Sequence, residues 1–117
     1  MSDADIMLAA GALIPNEAAW YRKCRAVAGP TVCNCPITAI HSANYAAVAE
    51  RYLPEADYLS TRLRLARTYS EAVGISPKLR GPNYGIPTWN DDPARTFAEV
   101  KAGFARAAAL LREREGR

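Results

Sequence analysis

The sequence of 117 residues predicts a mainly α domain of the α+β class, with about four helices and a small β-hairpin near residues 20–33. Alanine is abundant, and alanine favours helix over strand. Apolar residues recur at helical spacing in four segments. Between the first and second of these segments, "WYRKCRAV" alternates its residue types, and Gly29-Pro30 then separates it from the β-prone run Thr31–Cys33. We interpret that stretch as the hairpin.

The first predicted helix begins at Ser2, whose side chain is a good N-cap. Asp5 stands three residues later, where the acidic residue of a capping box belongs. Apolar residues from Ile6 to Leu13 fall on one face of this helix. Pro15 ends it, because proline cannot donate a backbone hydrogen bond and clashes with the preceding turn.

Two further helices are predicted in the middle of the chain. The second begins at Pro36, since proline suits the first helical turn, and it stops before Pro54. The third lies in "EADYLSTRLRLARTYSEAVG" and ends at Gly74, a good C-terminal stop. Its buried face is expected to carry Leu59, Leu63, Ala66, Tyr69 or Ser70, and Val73.

Residues 75–92 are rich in Gly and Pro and predict a long loop. The last helix begins after that loop, because Thr96 and Glu99 have the T-x-x-E spacing of a capping box. Apolar residues then follow at helical spacing as far as Leu111. The tail, residues 112–117, is expected to be solvated and frayed.

Length and composition predict one compact domain over residues 1–117. The net charge of +3 is a mild excess that selects no class of partner. Acids rather than bases precede the first apolar run, unlike in a secretory signal, and no run reaches the roughly 18 apolar residues that a membrane span needs. Three cysteines at irregular spacing are no disulfide framework. We therefore expect a cytoplasmic protein without a membrane span.

Cys35 is the one candidate for a catalytic residue. It stands at the start of a predicted helix, where backbone N–H groups can stabilise a thiolate. A nucleophile also needs a base, and His41 is the only histidine of the chain. Six residues on one continuous helix correspond to about 9 Å along the axis and about 240° around it, so the two side chains should point apart. A small buried cysteine is the alternative interpretation.

Neither a metal nor a cofactor is expected. The cysteines and the histidine have the spacing C-x8-C-x-C-x5-H, from Cys24 through Cys33 and Cys35 to His41. Structural zinc sites usually pair their ligands as C-x2–4-C, and this pattern does not. The sequence also has no phosphate loop, no G-x-G-x-x-G, no G-x-S-x-G and no H-E-x-x-H.

Five residues are candidates for binding a partner. Arg64 and Arg67 share one face of the third helix, and Lys78, Arg80 and Tyr84 lie in the predicted loop. Exposed aromatic and arginine side chains are common anchors at protein interfaces. Nucleic acid is a weaker alternative, because nucleic-acid binding usually shows a denser basic stripe and a recognisable motif.

The segment "WNDDPAR" precedes the last helix and is interpreted as a structural clasp. Asn90 and Asp92 should brace the chain through short bonds to the backbone. Trp89 should pack on the core, and Arg95 should pair with the acids. The full clasp comprises Trp89, Asn90, Asp92, Arg95, Thr96 and Glu99.

Three segments of the chain resemble a family of small uncharacterised proteins common in actinobacteria and their phages. Ile14 with "AAWYRK" matches its tryptophan segment, and "CPITAI" matches its Cys-x-x-small-Ala-Ile helix start. "WNDDPARTFAEV" matches its W-N-D-x-P-x-R-T-x-x-E-V segment. The resemblance implies a phage or mobile-element context and assigns no reaction.

The sequence therefore favours a non-enzymatic accessory protein, of the phage or mobile-element type, that binds and modulates a host protein such as a defence complex. Its partner would be a host protein or a second copy of the chain. A cysteine-dependent hydrolase or acyl transferase that uses Cys35 is the alternative. A weak nucleic-acid binder that uses the arginines is the second alternative.

Overall fold

Five α-helices make up the fold. The computed structural model describes residues 1–20, 35–76 and 81–116. The helices are α1 (Asp3–Ala12), α2 (Pro36–Ala49), α3 (Tyr58–Ala72), α4 (Pro82–Asn90) and α5 (Phe97–Glu115). A short 3-10 turn at Glu17–Ala19 follows α1, and another at Glu55–Asp57 directly precedes α3. None of the described helices is both long and apolar enough to cross a membrane.

The five helices pack around one core. Helix α1 lies against α2 and α5, α3 lies against α2 and α5, and α4 packs on α2 and α3. Each helix contributes a fully buried side chain to the core, and these include Ile6, Ile40, Tyr69, Ile86 and Val100. Because the apolar stripes of the five helices cover one another, the core closes without a sheet in the described part of the chain.

The predicted α+β class is therefore wrong. The described residues contain five helices and no strand, so the fold there is all-helical. Residues 21–33 of the predicted hairpin lie outside the described residues. Its first residue, Trp20, is buried and contacts Asn90 and Phe97, far along the chain.

The predicted long loop at 75–92 is also wrong over half its length, because it contains α4. Pro82 occupies the first turn of this helix, where a missing N–H is harmless, and Gly81 before it has φ 91°. Pro87 lies inside the helix and cannot donate to the preceding turn. The complete burial of Ile86 offsets part of that loss.

The predicted starts of α1 and α5 are confirmed. Both capping boxes are present, with the backbone N–H of Asp5 3.2 Å from Ser2 Oγ and that of Glu99 3.2 Å from Thr96 Oγ1. Gly74 follows α3 with φ 79°, a conformation that glycine adopts without strain. These boundaries depend on atoms only a few residues apart, which is why the sequence predicts them.

The predicted buried face of α3 is correct for Ala66 and Tyr69 and wrong for its two leucines. Leu59 is 70% exposed and Leu63 is 42% exposed, although both were expected in the core. The helix is rotated so that other side chains face inward. The buried residues are Thr61, Leu65, Ala66, Thr68 and Tyr69.

Two features explain this rotation of α3. The threonine hydroxyls are satisfied inside their own helix: Thr68 Oγ1 donates to the Arg64 carbonyl at 2.8 Å, and Thr61 Oγ1 accepts from the Arg64 guanidinium. Buried threonines therefore cost little here. Tyr69 in turn needs the space beside Gly103 of α5, where it donates to the carbonyl of Val100 at 3.2 Å.

Candidate functional site

Arg95 is the centre of the segment that joins α4 to α5. Its Nε donates to the carbonyl of Trp89 at 3.0 Å, and its Nη1 donates to Glu99 Oε2 at 2.7 Å. The guanidinium carbon lies 3.9 Å from the centroid of the Trp89 ring. One arginine thus holds the end of α4, the indole above it and the first turn of α5 by cation–π and charge-assisted contacts.

The remaining members of this segment are held by local and distant contacts. Asp92 Oδ1 accepts from the backbone N–H of Ala94 at 2.9 Å, and Asp92 reaches Arg95 only at 4.0 Å. Asn90 is fully buried and accepts a hydrogen bond of 2.7 Å from the indole N–H of Trp20. The backbone N–H of Thr96, together with the Arg95 guanidinium, holds the pKa of the Glu99 carboxyl below its usual value.

Trp89 connects this segment to the core. Its ring meets Tyr69 edge-on with 5.9 Å between centroids, and Tyr69 packs on Phe104 at 4.9 Å. Burial raises the pKa of the Tyr69 phenol, so this hydroxyl stays protonated and donates to the Val100 carbonyl. The six residues of the predicted clasp therefore lie at the junction of α4 and α5. Their stabilising role is a prediction.

Cys35 is the N-cap of α2 and is 1% exposed. Its Sγ lies 3.3 Å from Thr38 Oγ1, and that is its only hydrogen-bond contact within the described residues. Helix α2 runs without interruption past His41, so the geometry expected to separate the two side chains is present. Such a thiol has the environment of a core residue rather than of an accessible nucleophile.

His41 also has no metal-binding neighbours in the described structure. In residues 1–20, 35–76 and 81–116, no three His, Cys, Asp or Glu side chains lie close enough to hold a metal ion. Cys24 and Cys33, which completed the spacing considered from the sequence, lie outside those ranges. The buried Nε2 atom of His41 makes no hydrogen bond.

This burial makes folding sensitive to pH. Burial first, and then the charge of Arg62, lowers the pKa of His41 from 6.5 to about 4. Because the folded protein resists protonation, stability is complete above about pH 6.5 and falls as the pH drops toward 4. The ring is partly exposed, so we expect a loss of roughly 1 kcal/mol between about pH 7 and about pH 5 in urea unfolding.

A His41→Gln variant provides the control for this pH dependence. Glutamine keeps a polar side chain and does not titrate, so its stability should change little over the same interval. The carboxyl groups of Asp5 and Glu99 have lowered pKa values and contribute only below that interval. An equal loss of stability in wild type and variant would show that His41 is not the responsible group.

The five candidate binding residues do not share one environment in the structure. Arg64 forms an ion pair with Asp3 of α1, whereas Arg67 is exposed and forms none with any described residue. Lys78 and Arg80 lie outside the described residues. Tyr84 lies in α4, and its side chain is outside the description.

Arg64 and Arg67 border a groove along the outer seam of α3 and α5, which we call the α3–α5 groove. It consists of three adjoining concavities of about 330, 450 and 480 Å³. Arg106 lines the first and second of them, and Glu71 lines the second and third. The Arg114 guanidinium binds both carboxylate oxygens of Glu71, at 2.6 and 2.7 Å, and so ties α5 to α3 at this point.

Comparison with known proteins places the chain in a family. Residues 1–110 match the model of a family described as a family of unknown function (DUF6197). The chain belongs to this family. The resemblance to a family of uncharacterised proteins is thus confirmed. No curated protein and no solved structure matches the chain.

The sequence analysis missed the exposed leucines and Arg106 as surface features. Leu59 and Leu63 looked like core residues because they follow helical spacing with Ala66. A second stripe, with Thr61, Leu65 and Thr68 at spacings of four and three residues, offered an equally regular face.

Proposed function

We propose that this DUF6197 protein is a non-enzymatic accessory protein that binds and modulates another protein. The single observation that carries the proposal is the orientation of α3. This helix buries Thr61 and Thr68 and presents Leu59 and Leu63 to solvent. Helices of a self-sufficient domain usually place their leucines inward, so an outward leucine pair favours a surface that a partner covers.

The energetics support a protein partner. Fully burying one leucine side chain contributes about 1.5–3 kcal/mol, so two leucines contribute enough to matter in an interface. Leu59 and Leu63 are four residues apart and therefore lie one above the other on the same face. Arg67 continues the same row one turn later, and leucines beside an arginine resemble the composition of an interface core and its edge.

The wider role is proposed from family context. The resemblance to proteins of actinobacteria and their phages favours a host protein, such as a defence complex, as the partner. A chain of 117 residues without an expected cofactor is well suited to act by occupying a surface of a larger protein. This host-directed role rests on the resemblance, whereas the binding role rests on α3.

The enzyme alternative has less support. A cysteine hydrolase needs a thiolate that substrate can reach and a base within hydrogen-bond distance. Cys35 is buried, and its described hydrogen-bond contact is the hydroxyl of Thr38 rather than a base. The nucleic-acid alternative is also weaker, because the ion pair with Asp3 already engages Arg64.

The test uses two leucines matched in exposure. Leu63 on α3 is 42% exposed and Leu8 on α1 is 41% exposed. Tagged wild type, Leu63→Glu and Leu8→Glu are each incubated with lysate of the source organism or its host, and the retained proteins are identified by mass spectrometry. The partner is then purified and its Kd measured by calorimetry.

We expect Leu63→Glu to weaken this Kd at least about tenfold, the equivalent of about 1.4 kcal/mol, and Leu8→Glu to leave it unchanged. The reason is that glutamate must be desolvated where leucine was favourably buried. Circular dichroism should show both variants folded, since both side chains are exposed. Retention of no partner, or equal effects of the two variants, would contradict the proposal.

A further inference from the structure

We infer that the α3–α5 groove binds an acidic, amphipathic helical segment of the partner protein. This inference rests on the proposed binding function and adds the chemistry of what is bound. Three properties of the groove carry it: its length, its apolar floor and its unbalanced positive charge.

The groove has the shape of a seat for one helix. On α5 it is bordered by one stripe at spacings of three and four residues, which runs through Ala98, Ala102, Arg106, Ala109 and Glu113. On α3 the facing stripe runs from Ser60 through Arg64 and Arg67 to Glu71. From Ala98 to Glu113 the axial length is about 22 Å, which corresponds to a partner helix of about 15 residues.

Small and apolar side chains form the floor of the groove. Leu110 and Ala109 of α5 contribute to it beside Ala72 of α3, and Leu63 contributes to the concavity at the other end. Small side chains allow a second helix to approach closely, and the leucines offer area to bury. Such a surface suits the helix-in-groove mode, in which apolar residues at i, i+3, i+4 and i+7 of the ligand face the floor.

The charge of the groove is positive on balance, because five arginines and three glutamates, Glu113 among them, line it. Asp3 neutralises Arg64, and Glu71 binds Arg114 through both oxygens. Arg67 and Arg106 are exposed and form no ion pair or hydrogen bond with any described residue. A ligand with carboxylates flanking its apolar stripe would pair with these two guanidinium groups, a contact that arginine makes with bidentate geometry.

Other occupants fit this surface less well. In a symmetric pair of copies the same face would meet itself, so Arg67 and Arg106 of one copy would face the same positively charged groove of the other, which like-charge repulsion disfavours. Nucleic acid would offer phosphates but no apolar surface for Leu63 and Leu110. An acidic amphipathic helix satisfies both the arginines and the apolar floor.

The experiment selects ligands from a displayed library of random peptides of about 16 residues, a length taken from the groove. Three baits are used: wild type, Arg67→Glu/Arg106→Glu and the control Arg51→Glu. Arg51 is exposed and lines none of the three concavities. Circular dichroism verifies that each bait is folded, and sedimentation verifies its oligomeric state.

Wild type and Arg51→Glu should enrich net-acidic peptides with apolar residues at i, i+3, i+4 and i+7. The Arg67→Glu/Arg106→Glu bait should lose them, and a resynthesised peptide should bind it at least about tenfold more weakly by fluorescence anisotropy. Salt should weaken the wild-type complex, because exposed ion pairs are screened.

Enrichment of neutral or basic peptides, or equal binding by wild type and the charge-reversed bait, would overturn the inference. A wild-type dimer that dissociates in the charge-reversed variant would overturn it in favour of a second copy as occupant. These failures are distinct from failure of the proposed function. A partner lost specifically by Leu63→Glu would still establish a binding protein, even if its bound segment is not acidic.

Discussion

Replacement of Trp89 by alanine is expected to lower the free energy of unfolding by about 2–3 kcal/mol, less than the roughly 3–5 kcal/mol of a fully buried aromatic because this indole is only partly buried. The indole packs on Tyr69 on one side and carries the Arg95 guanidinium 3.9 Å from its centroid on the other. Removing the ring would leave a cavity beside Tyr69. It would also remove the cation–π contact of the Arg95 guanidinium. Urea unfolding followed by circular dichroism measures the loss.

Two variants accompany this measurement. Trp89→Phe keeps an aromatic ring and should lose much less stability than Trp89→Ala. Tyr52→Ala removes an aromatic side chain that is 57% exposed and should change stability by no more than about 0.5 kcal/mol. If Trp89→Ala unfolds at the wild-type urea concentration, Trp89 does not hold the α4–α5 junction, and a surface role for this residue becomes the better explanation.

Replacement of Gly103 by alanine is expected to destabilise the protein by about 1–3 kcal/mol, the range for overpacked cores. A Cβ atom at this position would lie 2.7 Å from Tyr69 Oη and 2.7 Å from Val73 Cγ1, so these two core side chains, or α3 with them, must shift. The direction is diagnostic, because in an unhindered helix interior alanine is favoured over glycine by about 1 kcal/mol.

Gly11 of α1 provides a graded comparison for Gly103. An added Cβ there would lie 3.2 Å from the Phe104 side chain, a tight but less severe contact. Gly11→Ala should therefore destabilise less than Gly103→Ala. Adding Val73→Ala to Gly103→Ala should recover part of the loss, a coupling that a double-mutant cycle detects. Stabilisation by Gly103→Ala alone would mean that α3 and α5 are not held this closely together.

Gly103 and Trp89 both lie at the α3–α5 groove. Gly103 sets the distance between the two helices that border it, and Trp89, with Arg95 and Arg106, lines the concavity at one end. A change at Gly103 should thus alter groove width as well as stability. Binding assays for Leu63 and the groove arginines are better made with substitutions at exposed positions, which separate loss of contact from loss of fold.

The sequence by itself determined the features that depend on atoms close together along the chain. Ser2 with Asp5 and Thr96 with Glu99 begin two helices as predicted, because each capping box joins residues three positions apart. Pro36 occupies the first turn of α2, and the residues of "WNDDPART" lie together because they are neighbours in sequence. Resemblance to a family of uncharacterised proteins was also predicted from the sequence, and the family model confirms it.

Only the tertiary structure decided which face of α3 turns inward, whether residues 82–90 form a helix and what Asn90 contacts. Each outcome depends on residues distant in sequence: Gly103 makes room for Tyr69, and Trp20 donates to Asn90 across 70 positions. Two stripes of α3 had helical periodicity, and periodicity alone cannot rank them. The buried area and hydrogen bonding available against α5 decided between them, and this left the leucines of the other stripe at the surface.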